Sequence, residues 1–310
     1  MFSQQDVLAA ISPAEAIEHV REGFVEYASG DWEMPPKLYL DAPPNGDFRA
    51  MPAKGAGVAI LKWVTSFPRN PEAGLPVVMG MICVSSALTG EPLALVDVRS
   101  VTALRTGAVA ALAAQELARE DARSVGIVGC GLHGAWAARC LAAAEYGPGV
   151  CFDPDPEAAG RLAGELGWDA GSRDDALACD VVTCVTPGSE PVVFERDLRP
   201  GLHLNMLGAD GPGKAEAEVA AVARAELFCD EWQQASHGGE LTGAVQAGLV
   251  SRADVRELGG VMTGAVEGRS RPDAVTLFDS TGLAIQDLAI CLAVLAAHRA
   301  GRLSGGTVRL

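Results

Sequence analysis

One stretch of eleven residues decides the fold of this chain, Ser124-Val125-Gly126-Ile127-Val128-Gly129-Cys130-Gly131-Leu132-His133-Gly134. The run Val125–Val128 predicts a strand, and a helical pattern opens directly after it. Between them, Gly129 allows a tight turn, Gly131 lets the backbone approach a pyrophosphate, and Gly134 allows close helix–strand packing. The helix N-terminus favours the anion. The stretch therefore predicts a Rossmann-type dinucleotide site, whose predicted contact residues are Gly129, Gly131, Leu132, His133 and Gly134.

An acidic residue follows at the end of the next predicted strand. Asp153 ends the segment Val150–Phe152 and stands 22 residues after Gly131. A carboxylate at this place accepts hydrogen bonds from the adenosine ribose and repels a 2′-phosphate, so it favours NAD over NADP. The alternative role for Asp153 is to cap the helix that begins near Pro156.

Short apolar strands continue to alternate with helices after Ser124, which predicts a parallel sheet covered on both faces. The later strands of this pattern are Val181–Val185, Leu202–Leu207, Leu227–Cys229 and Val275–Phe278. Ligands bind at the carboxyl ends of such strands. We therefore predict cofactor contacts in the loops after the first two of these strands, at Thr186, Pro187 and Gly208.

The residues before Ser124 follow another pattern. Ser12 and Pro13 predict the start of a helix, because serine is a favoured N-cap and proline a favoured first residue. Beyond Gly30, apolar runs separated by turn residues predict antiparallel strands. These runs are Leu38–Leu40, Val58–Val64 and Val77–Val84.

Composition excludes several classes of partner. The net charge of −16 repels the phosphates of nucleic acids. The apolar run Leu288–Ala297 has about half the length of a membrane helix, and the N-terminus lacks the pattern of a signal peptide. The eight cysteines form no CxxC pair, and the five histidines lack metal-ligand spacing. We therefore expect a cytoplasmic protein with reduced cysteines and no metal, nucleic-acid or membrane partner.

Seven segments spread over nearly the full length of the chain carry a family likeness by their order and spacing. They are Met34–Leu40, Met51–Ala53, Pro68–Pro71, Leu104–Ala108, Gly208–Lys214, Gln234–Glu240 and Phe278–Asp287. In these segments the chain resembles the ornithine cyclodeaminase/μ-crystallin family, and within that family it is most similar to the archaeal-type alanine dehydrogenases. Three further cofactor contacts are predicted within or beside these segments, at Thr106, Ser280 and Gly282.

A length of 310 residues predicts two domains, and the resemblance implies a homodimer formed through the antiparallel sheet of the first. We expect residues 1–115 and 289–310 to form an α+β substrate-binding and dimerisation domain with this largely antiparallel sheet. We expect residues 116–288 to form the NAD-binding domain, a Rossmann doubly wound parallel sheet. The fold class is therefore α/β.

Basic residues suited to a substrate carboxylate stand out in the first domain. Arg105 begins an alanine-rich helix, so its guanidinium and the helix N-terminus can act on one carboxylate. Lys62 interrupts an apolar strand, so it either snorkels or points into a pocket. The resemblance implies that Lys37, Lys62 and Arg105 bind the substrate carboxylate, and we count Lys62 among the catalytic residues.

Asp210 is the predicted general acid/base. It follows a strand in a glycine-rich loop, where its carboxylate can exchange a proton with the substrate nitrogen during hydride transfer.

Arg49 is the fourth predicted substrate contact. Ornithine cyclodeaminases resemble one another in a glutamate near this place that suits a substrate ammonium, which an arginine would repel. A small amino acid without a second ammonium is therefore favoured.

The leading hypothesis is an NAD-dependent dehydrogenase that interconverts a small L-amino acid, above all alanine, with its 2-keto acid and ammonia. Reduction of a cyclic imine such as pyrroline-2-carboxylate needs the same carboxylate contacts and the same acid. Cyclodeamination of ornithine with recycled NAD is a third possibility. The alternative outside catalysis is a μ-crystallin-like protein that binds NAD(P)H and a small ligand.

Overall fold

A five-stranded antiparallel sheet and an eight-stranded parallel sheet organise the computed structural model of the chain. The structure describes residues 1–188, 190–211 and 213–307, so Pro212 of the motif Gly208–Lys214 lies outside the described residues. The chain divides into a first unit, Met1–Arg105 with Leu283–Leu310, and a second unit, Thr106–Gly282. The sequence placed the domain boundaries at 115/116 and 288/289, and the roles given to the two domains remain predictions.

The first unit begins with two helices that lead into the antiparallel sheet. Ser12 and Glu15 form a reciprocal capping box, and Pro13 is the first residue of the second helix, as the sequence predicted. The helices and strands from the N-terminus to Leu117 are α1 (Gln4–Ala10), α2 (Pro13–Ala28), β1 (Leu38–Ala42), β2 (Gly46–Gly55), β3 (Val58–Ser66), β4 (Val78–Ser86), β5 (Pro92–Asp97) and α3 (Val98–Leu117). Helix α3 begins in the first unit and continues into the second.

The strands of the first unit pair in sequence order, β1-β2-β3-β4-β5. Lys62 on β3 is opposite Met51 on β2 and Ile82 on β4, and side chains in register share one face of a sheet. These three side chains are buried. The opposite face, which we call the apolar face, exposes large hydrophobic side chains that are each at least 40% accessible: Leu38, Leu40, Leu61 and Met81.

The second unit alternates strands and helices from Val125 onward, and its strands form a sheet that is parallel throughout. After it, α11 (Ala284–Arg299) completes the first unit. The elements of the second unit are β6 (Val125–Val128), α4 (Leu132–Ala143), β7 (Gly149–Phe152), α5 (Pro156–Leu166), β8 (Asp169–Ala170), α6 (Arg173–Leu177), β9 (Val181–Cys184), β10 (His203–Met206), α7 (Val219–Arg224), β11 (Glu226–Cys229), α8 (Trp232–Gly238), α9 (Thr242–Gln246), β12 (Val255–Glu257), α10 (Leu258–Met262) and β13 (Thr276–Asp279).

The strand order of the parallel sheet is β12-β11-β13-β10-β9-β6-β7-β8. From β6 the chain proceeds to β7 and β8 on one side, and it then crosses to β9 and β10 on the other. The strand order therefore reverses between β6 and β9, which is where doubly wound sheets bind ligands. Every residue of β6, β9 and β10 is buried, so the rigid sheet fixes the loops that follow these strands.

Candidate active site

A buried lysine on β3 is at the centre of the first group of site residues. The side chain of Lys62 is 2% exposed, and its Nζ donates to Asp287 Oδ1 at 2.8 Å and to Thr102 Oγ1 at 2.9 Å. Burial lowers the pKa of Lys62, while the charge of Asp287 opposes this shift and that of Arg105 adds to it. Asp287 therefore favours the charged form of a lysine that its surroundings would otherwise neutralise.

Arg105 is close to the same carboxylate. The prediction that it begins its helix is wrong, because α3 already begins at Val98, so its guanidinium acts without the helix N-terminus. Its Nε is 3.8 Å from Asp287 Oδ1, and its Nη1 donates to Gln286 Oε1 at 3.4 Å. Lys62, Arg105 and Asp287 thus form what we call the cation cluster, in which two cations share one anion and leave a formal charge of +1. A ligand with a single carboxylate would neutralise this surplus.

Three buried polar atoms of this region have no hydrogen-bond partner within the described part of the chain: Arg105 Nε, Gln286 Nε2 and Asp287 Oδ2. Buried polar groups in native proteins are nearly always hydrogen-bonded to protein, water or ligand. Two of these atoms are donors and one is an acceptor. The cation cluster therefore still has hydrogen-bonding capacity that a small polar ligand or water can satisfy.

Arg49 belongs to the same sheet, and Lys37 lies directly before its first strand. Arg49 on β2 is opposite Val64, so it shares the buried face with Lys62. Its guanidinium forms a two-point ion pair with Asp47, with Nε 2.7 Å from Oδ1 and Nη2 3.3 Å from Oδ2. Lys37 is half-buried directly before the edge strand β1.

The nucleotide loop of the second unit has the geometry that its three glycines predict. Gly129 has a positive φ of 98°, and a Cβ atom there would be 2.6 Å from the carbonyl oxygen of Val185. A Cβ on Gly134 would be 1.8 Å from the carbonyl oxygen of Gly129. At Gly131 an added Cβ would meet no atom within 4 Å. Two glycines are thus required by packing, and the third borders open space.

Helix α4 begins at this open space. Its N-cap is Gly131, and no side chain caps its first N–H groups. These groups and the helix dipole favour an anion such as a pyrophosphate. Leu132 and His133 form the first turn, so the loop fits the dinucleotide phosphate that the sequence predicted.

Asp153 follows β7, the neighbour of β6, and holds the nucleotide loop from the side. Its Oδ2 accepts a hydrogen bond from the N–H of Cys130 at 2.7 Å, and its Oδ1 accepts one from the N–H of Asp155 at 2.9 Å. The helix cap that the sequence left as an alternative for this residue is Asp155, whose side chain accepts from the N–H of Glu157.

Asp210 lies in the loop that follows β10. Its Oδ1 accepts a hydrogen bond from Lys214 Nζ at 2.5 Å, and both side chains are partly exposed.

The carboxylate of Glu216 accepts one hydrogen bond from the N–H of Gly208 and another from that of Thr186. Burial raises the pKa of Glu216 to about 7, while the N–H groups of Thr186 and Gly208 oppose the shift.

Ser280 and Gly282 are in the loop after β13, which Asp230 at the end of β11 organises. Ser280 Oγ and the N–H of Gly282 both donate to Asp230 Oδ2, at 3.3 and 2.8 Å. Gly282 has a positive φ of 76°. Thr106 is buried on α3, and its Oγ1 has no hydrogen-bond partner among the described residues. Pro187 directly follows Thr186 and is exposed.

Sequence reasoning missed the buried acids that hold these groups in place, Asp230, Glu216 and Asp287. A carboxylate inside an apolar segment is a usable signal, because such groups are rarely buried without partners. Asp287 stands in the otherwise apolar start of α11, and Asp230 directly follows the apolar strand β11. Among residues 1–188, 190–211 and 213–307, we find no group of three acidic, histidine or cysteine side chains arranged to hold a metal. The same part of the chain contains no helix long and apolar enough to cross a membrane.

Comparisons with known proteins agree with this geometry. Alanine dehydrogenase of Archaeoglobus fulgidus is 40% identical over 301 residues, which cover 95% of this chain and 93% of that protein. The solved structure of an archaeal alanine dehydrogenase dimer with bound NAD matches with a TM-score of 0.95 at 39% identity, covering 99% of this chain and 98% of that one.

A second solved structure widens the range of chemistry. Thermococcus litoralis Δ1-pyrroline-2-carboxylate reductase, in complex with NADH and L-proline, matches with a TM-score of 0.93 at 26% identity, covering 99% of each chain. The model of the ornithine cyclodeaminase/mu-crystallin family matches residues 1–301. The resemblance found in the sequence is confirmed, and this chain belongs to the ornithine cyclodeaminase/mu-crystallin family.

Proposed function

We propose that this chain is an NAD-dependent dehydrogenase that interconverts a small L-amino acid, with alanine first, with its 2-keto acid and ammonia. The observation that carries the proposal is the cation cluster, in which Lys62 and Arg105 share the single carboxylate of Asp287. A formal surplus of one positive charge suits a substrate with one carboxylate. The 40% identity to an alanine dehydrogenase supports the choice of amino acid.

The cofactor of this reaction is NAD in our proposal. The open N-terminus of α4 and the glycines at 129, 131 and 134 would hold its pyrophosphate. Asp153 already accepts two N–H groups, and a carboxylate has further lone pairs for a ribose hydroxyl. Bound NAD supplies the hydride acceptor for the Cα–H of the amino acid, and relatives solved with NAD or NADH support this assignment.

Binding of the substrate carboxylate falls to the cation cluster in this proposal. Arg105 offers a planar fork of donors, which suits a carboxylate better than a point charge does. Asp287 maintains the charge of Lys62 against the cost of its burial. We assign Lys37 and Arg49 to the same task. Arg49 is already held by Asp47, so its guanidinium is fixed in position before the substrate arrives.

We assign the proton transfer to Asp210. Its loop follows β10, and carboxyl ends of parallel strands carry the reacting groups in doubly wound folds. As a carboxylate, Asp210 accepts a proton from the substrate ammonium or from the attacking water, and it returns that proton in the reductive direction. Lys214 can stabilise the charged form of Asp210 between these steps.

A panel of keto acids tests the proposal. Initial rates are measured with NADH, ammonium and a set of 2-keto acids that begins with pyruvate and extends to longer side chains. We expect turnover with pyruvate that requires ammonium, and a preference for NADH over NADPH. Failure of every linear keto acid in the presence of ammonium would contradict the proposal.

A second candidate activity is the reduction of a cyclic imino acid such as pyrroline-2-carboxylate. The observation that favours it is the match to a pyrroline-2-carboxylate reductase at a TM-score of 0.93. Such a substrate also carries one carboxylate, so it suits the cation cluster equally well. The two activities differ in their need for ammonium. Turnover of the cyclic imine without ammonium, combined with no turnover of pyruvate, would establish this second activity in place of the first.

We also propose that the protein is a homodimer formed through the apolar face. Monomeric proteins rarely expose a continuous apolar patch of this kind, and such patches mark interfaces. Four large hydrophobic side chains from three of the strands share the face. A relative of 39% identity was solved as a dimer, which supports the proposal.

A cytoplasmic location completes the proposal. The eight cysteines are all free, and seven of them are buried. Reducing compartments preserve such thiols, whereas oxidising compartments favour disulfides. To test this location, the purified protein is unfolded without reductant and its free thiols are then alkylated. We expect eight modified thiols in the mass spectrum, and disulfide-linked peptides would count against a cytoplasmic origin.

A further inference from the structure

We propose that Glu216 is a positioning residue that ties the loop of Asp210 to the loop of Thr186 and so fixes the proton-transferring carboxylate. The idea rests on the proposed function, because it assumes that Asp210 moves the proton. It concerns a residue that has no other role in that reaction.

The carboxylate of Glu216 joins two loops that follow neighbouring strands. Its Oε1 accepts a hydrogen bond from the N–H of Thr186 at 2.6 Å, and its Oε2 accepts one from the N–H of Gly208 at 2.7 Å. Thr186 follows β9, and Gly208 follows β10. Each oxygen thus holds a different loop, and both are needed at once.

The same carboxylate closes the loop that carries Asp210. Glu216 stands eight residues after Gly208, so its bond to that N–H joins the two ends of the segment. Its backbone is fixed separately, because its carbonyl oxygen accepts from the N–H groups of Val192 and Val193. Asp210 therefore lies in a loop whose two ends are both anchored.

The fit around Glu216 leaves no space for adjustment. A Cβ atom on Gly208 would be 2.2 Å from the carbonyl oxygen of Thr186 and 2.7 Å from the carboxyl carbon of Glu216. Glu216 is fully buried, and a buried carboxyl group needs hydrogen-bond partners to offset its desolvation. Its partners are the N–H groups of Thr186 and Gly208, in the two loops predicted to contact cofactor and substrate.

The variant Glu216→Gln tests the proposal, because an amide has the same size but only one acceptor oxygen. One of the two N–H groups must then lose its partner. We expect the amide hydrogen of Thr186 or of Gly208 to exchange at least about tenfold faster, the change expected when a buried N–H group loses its partner. We expect kcat to fall about 10- to 100-fold, as for a misplaced catalytic group.

Glu240→Gln is the matched control. Glu240 is also buried, and burial also raises its pKa to about 7. Its two oxygens share the N–H of Glu216, at 3.0 Å from Oε1 and 2.9 Å from Oε2, and Oε1 also accepts from the N–H of Ala217 at 2.6 Å. A glutamine whose oxygen takes the place of Oε1 still accepts from both N–H groups, and it leaves the carboxylate of Glu216 on its two loops. We therefore expect normal exchange at Thr186 and Gly208 and a kcat within about threefold of the wild type.

Hydrogen exchange separates this proposal from the proposed function, because it needs no substrate. Unchanged exchange at both amides in Glu216→Gln would overturn the positioning role, whatever the activity. Faster exchange with an unchanged kcat would also overturn it. Equal losses of kcat in Glu216→Gln and Glu240→Gln would show a general structural effect and reject it too. If Glu216→Gln does not fold, Glu216→Asp, which is too short to reach both loops, takes its place in the same measurements.

Discussion

Asp210 is the residue on which the proposed reaction depends most. Asp210→Asn retains the size of the side chain but cannot accept and return a proton, so we expect kcat to fall about 10²- to 10⁴-fold. The nucleotide loop contains none of these atoms, so the dissociation constant for NADH, followed by its fluorescence, stays within about twofold of the wild type. Asp169→Asn, at an exposed place on β8, is the control. A variant at position 210 with nearly normal kcat would remove Asp210 from the mechanism.

The negative charge of Asp287 helps to keep Lys62 protonated. Burial lowers the pKa of Lys62, and Asp287 opposes this shift. Removal of the negative charge in Asp287→Asn therefore lowers that pKa further, so Lys62 loses its proton at a lower pH. We expect KM for the keto acid to start increasing at a lower pH in the variant than in the wild type. The measurement is KM as a function of pH from neutral to alkaline solution.

Thr102→Val separates charge from hydrogen bonding in that experiment. The variant removes the hydroxyl that accepts from Lys62 Nζ at 2.9 Å but leaves Asp287 in place. We expect a pH profile of KM close to that of the wild type. Equal shifts in both variants would mean that packing around Lys62, and not the charge of Asp287, governs its protonation. A profile that moves to higher pH in Asp287→Asn would contradict the sign of the argument.

At the scale of single elements, the turn between β6 and α4 allows a matched pair of glycine variants. An added methyl group at Gly131 meets nothing within 4 Å, so Gly131→Ala should fold with an unchanged melting temperature. The methyl group occupies the place where the pyrophosphate must approach, so NADH binding weakens about tenfold or more. Gly134→Ala places a Cβ 1.8 Å from the carbonyl oxygen of Gly129 and should lower the free energy of unfolding by about 1–3 kcal/mol. Urea unfolding and NADH titration of both variants check the contrast, and similar results for the two would refute it.

Elements with strong local patterns were predictable from the sequence, and those with weak patterns were not. The strands β6, β9 and β10 are short apolar runs, and each was found. The strand β2 was missed, because Gly46, Pro52 and Gly55 break its pattern and burial alternates only over its second half. The strand β5 was also missed, because it begins at Pro92 and proline is rare inside strands. Both are held in place by pairing with their neighbours, which local sequence does not encode.

The site shows the same division between local and distant information. The glycines of the nucleotide loop act within one turn, so their spacing alone predicted their geometry. Lys62 and its carboxylate partner Asp287 are 225 residues apart, and no pattern in either segment reveals that they meet. Glu216 accepts from Thr186 across 30 residues, through a loop between two strands. Residues that hold a site together through distant contacts therefore require the structure.

For the molecule as a whole, the apolar face of the antiparallel sheet is costly in a monomer, because it would expose large hydrophobic side chains to water. Its strands carry leucine and methionine at positions where a solvated sheet alternates to polar residues. A net charge of −16 opposes association between copies, so the contact must supply enough apolar burial to exceed that repulsion. The apolar face is the surface that can supply it.

The final prediction is that charges on this face produce a monomer. Light scattering should give the wild type twice the 32.0 kDa mass of one chain. The double variant Leu61→Lys/Met81→Lys places two cations on neighbouring strands of the face, where they would be buried without partners in a dimer. We expect the mass of a single chain with the helical content retained. Leu88→Lys, in the exposed turn between β4 and β5, adds a charge outside the face and should remain dimeric. A dimer in the double variant would move the interface elsewhere, since a contact through these side chains could not survive both charges.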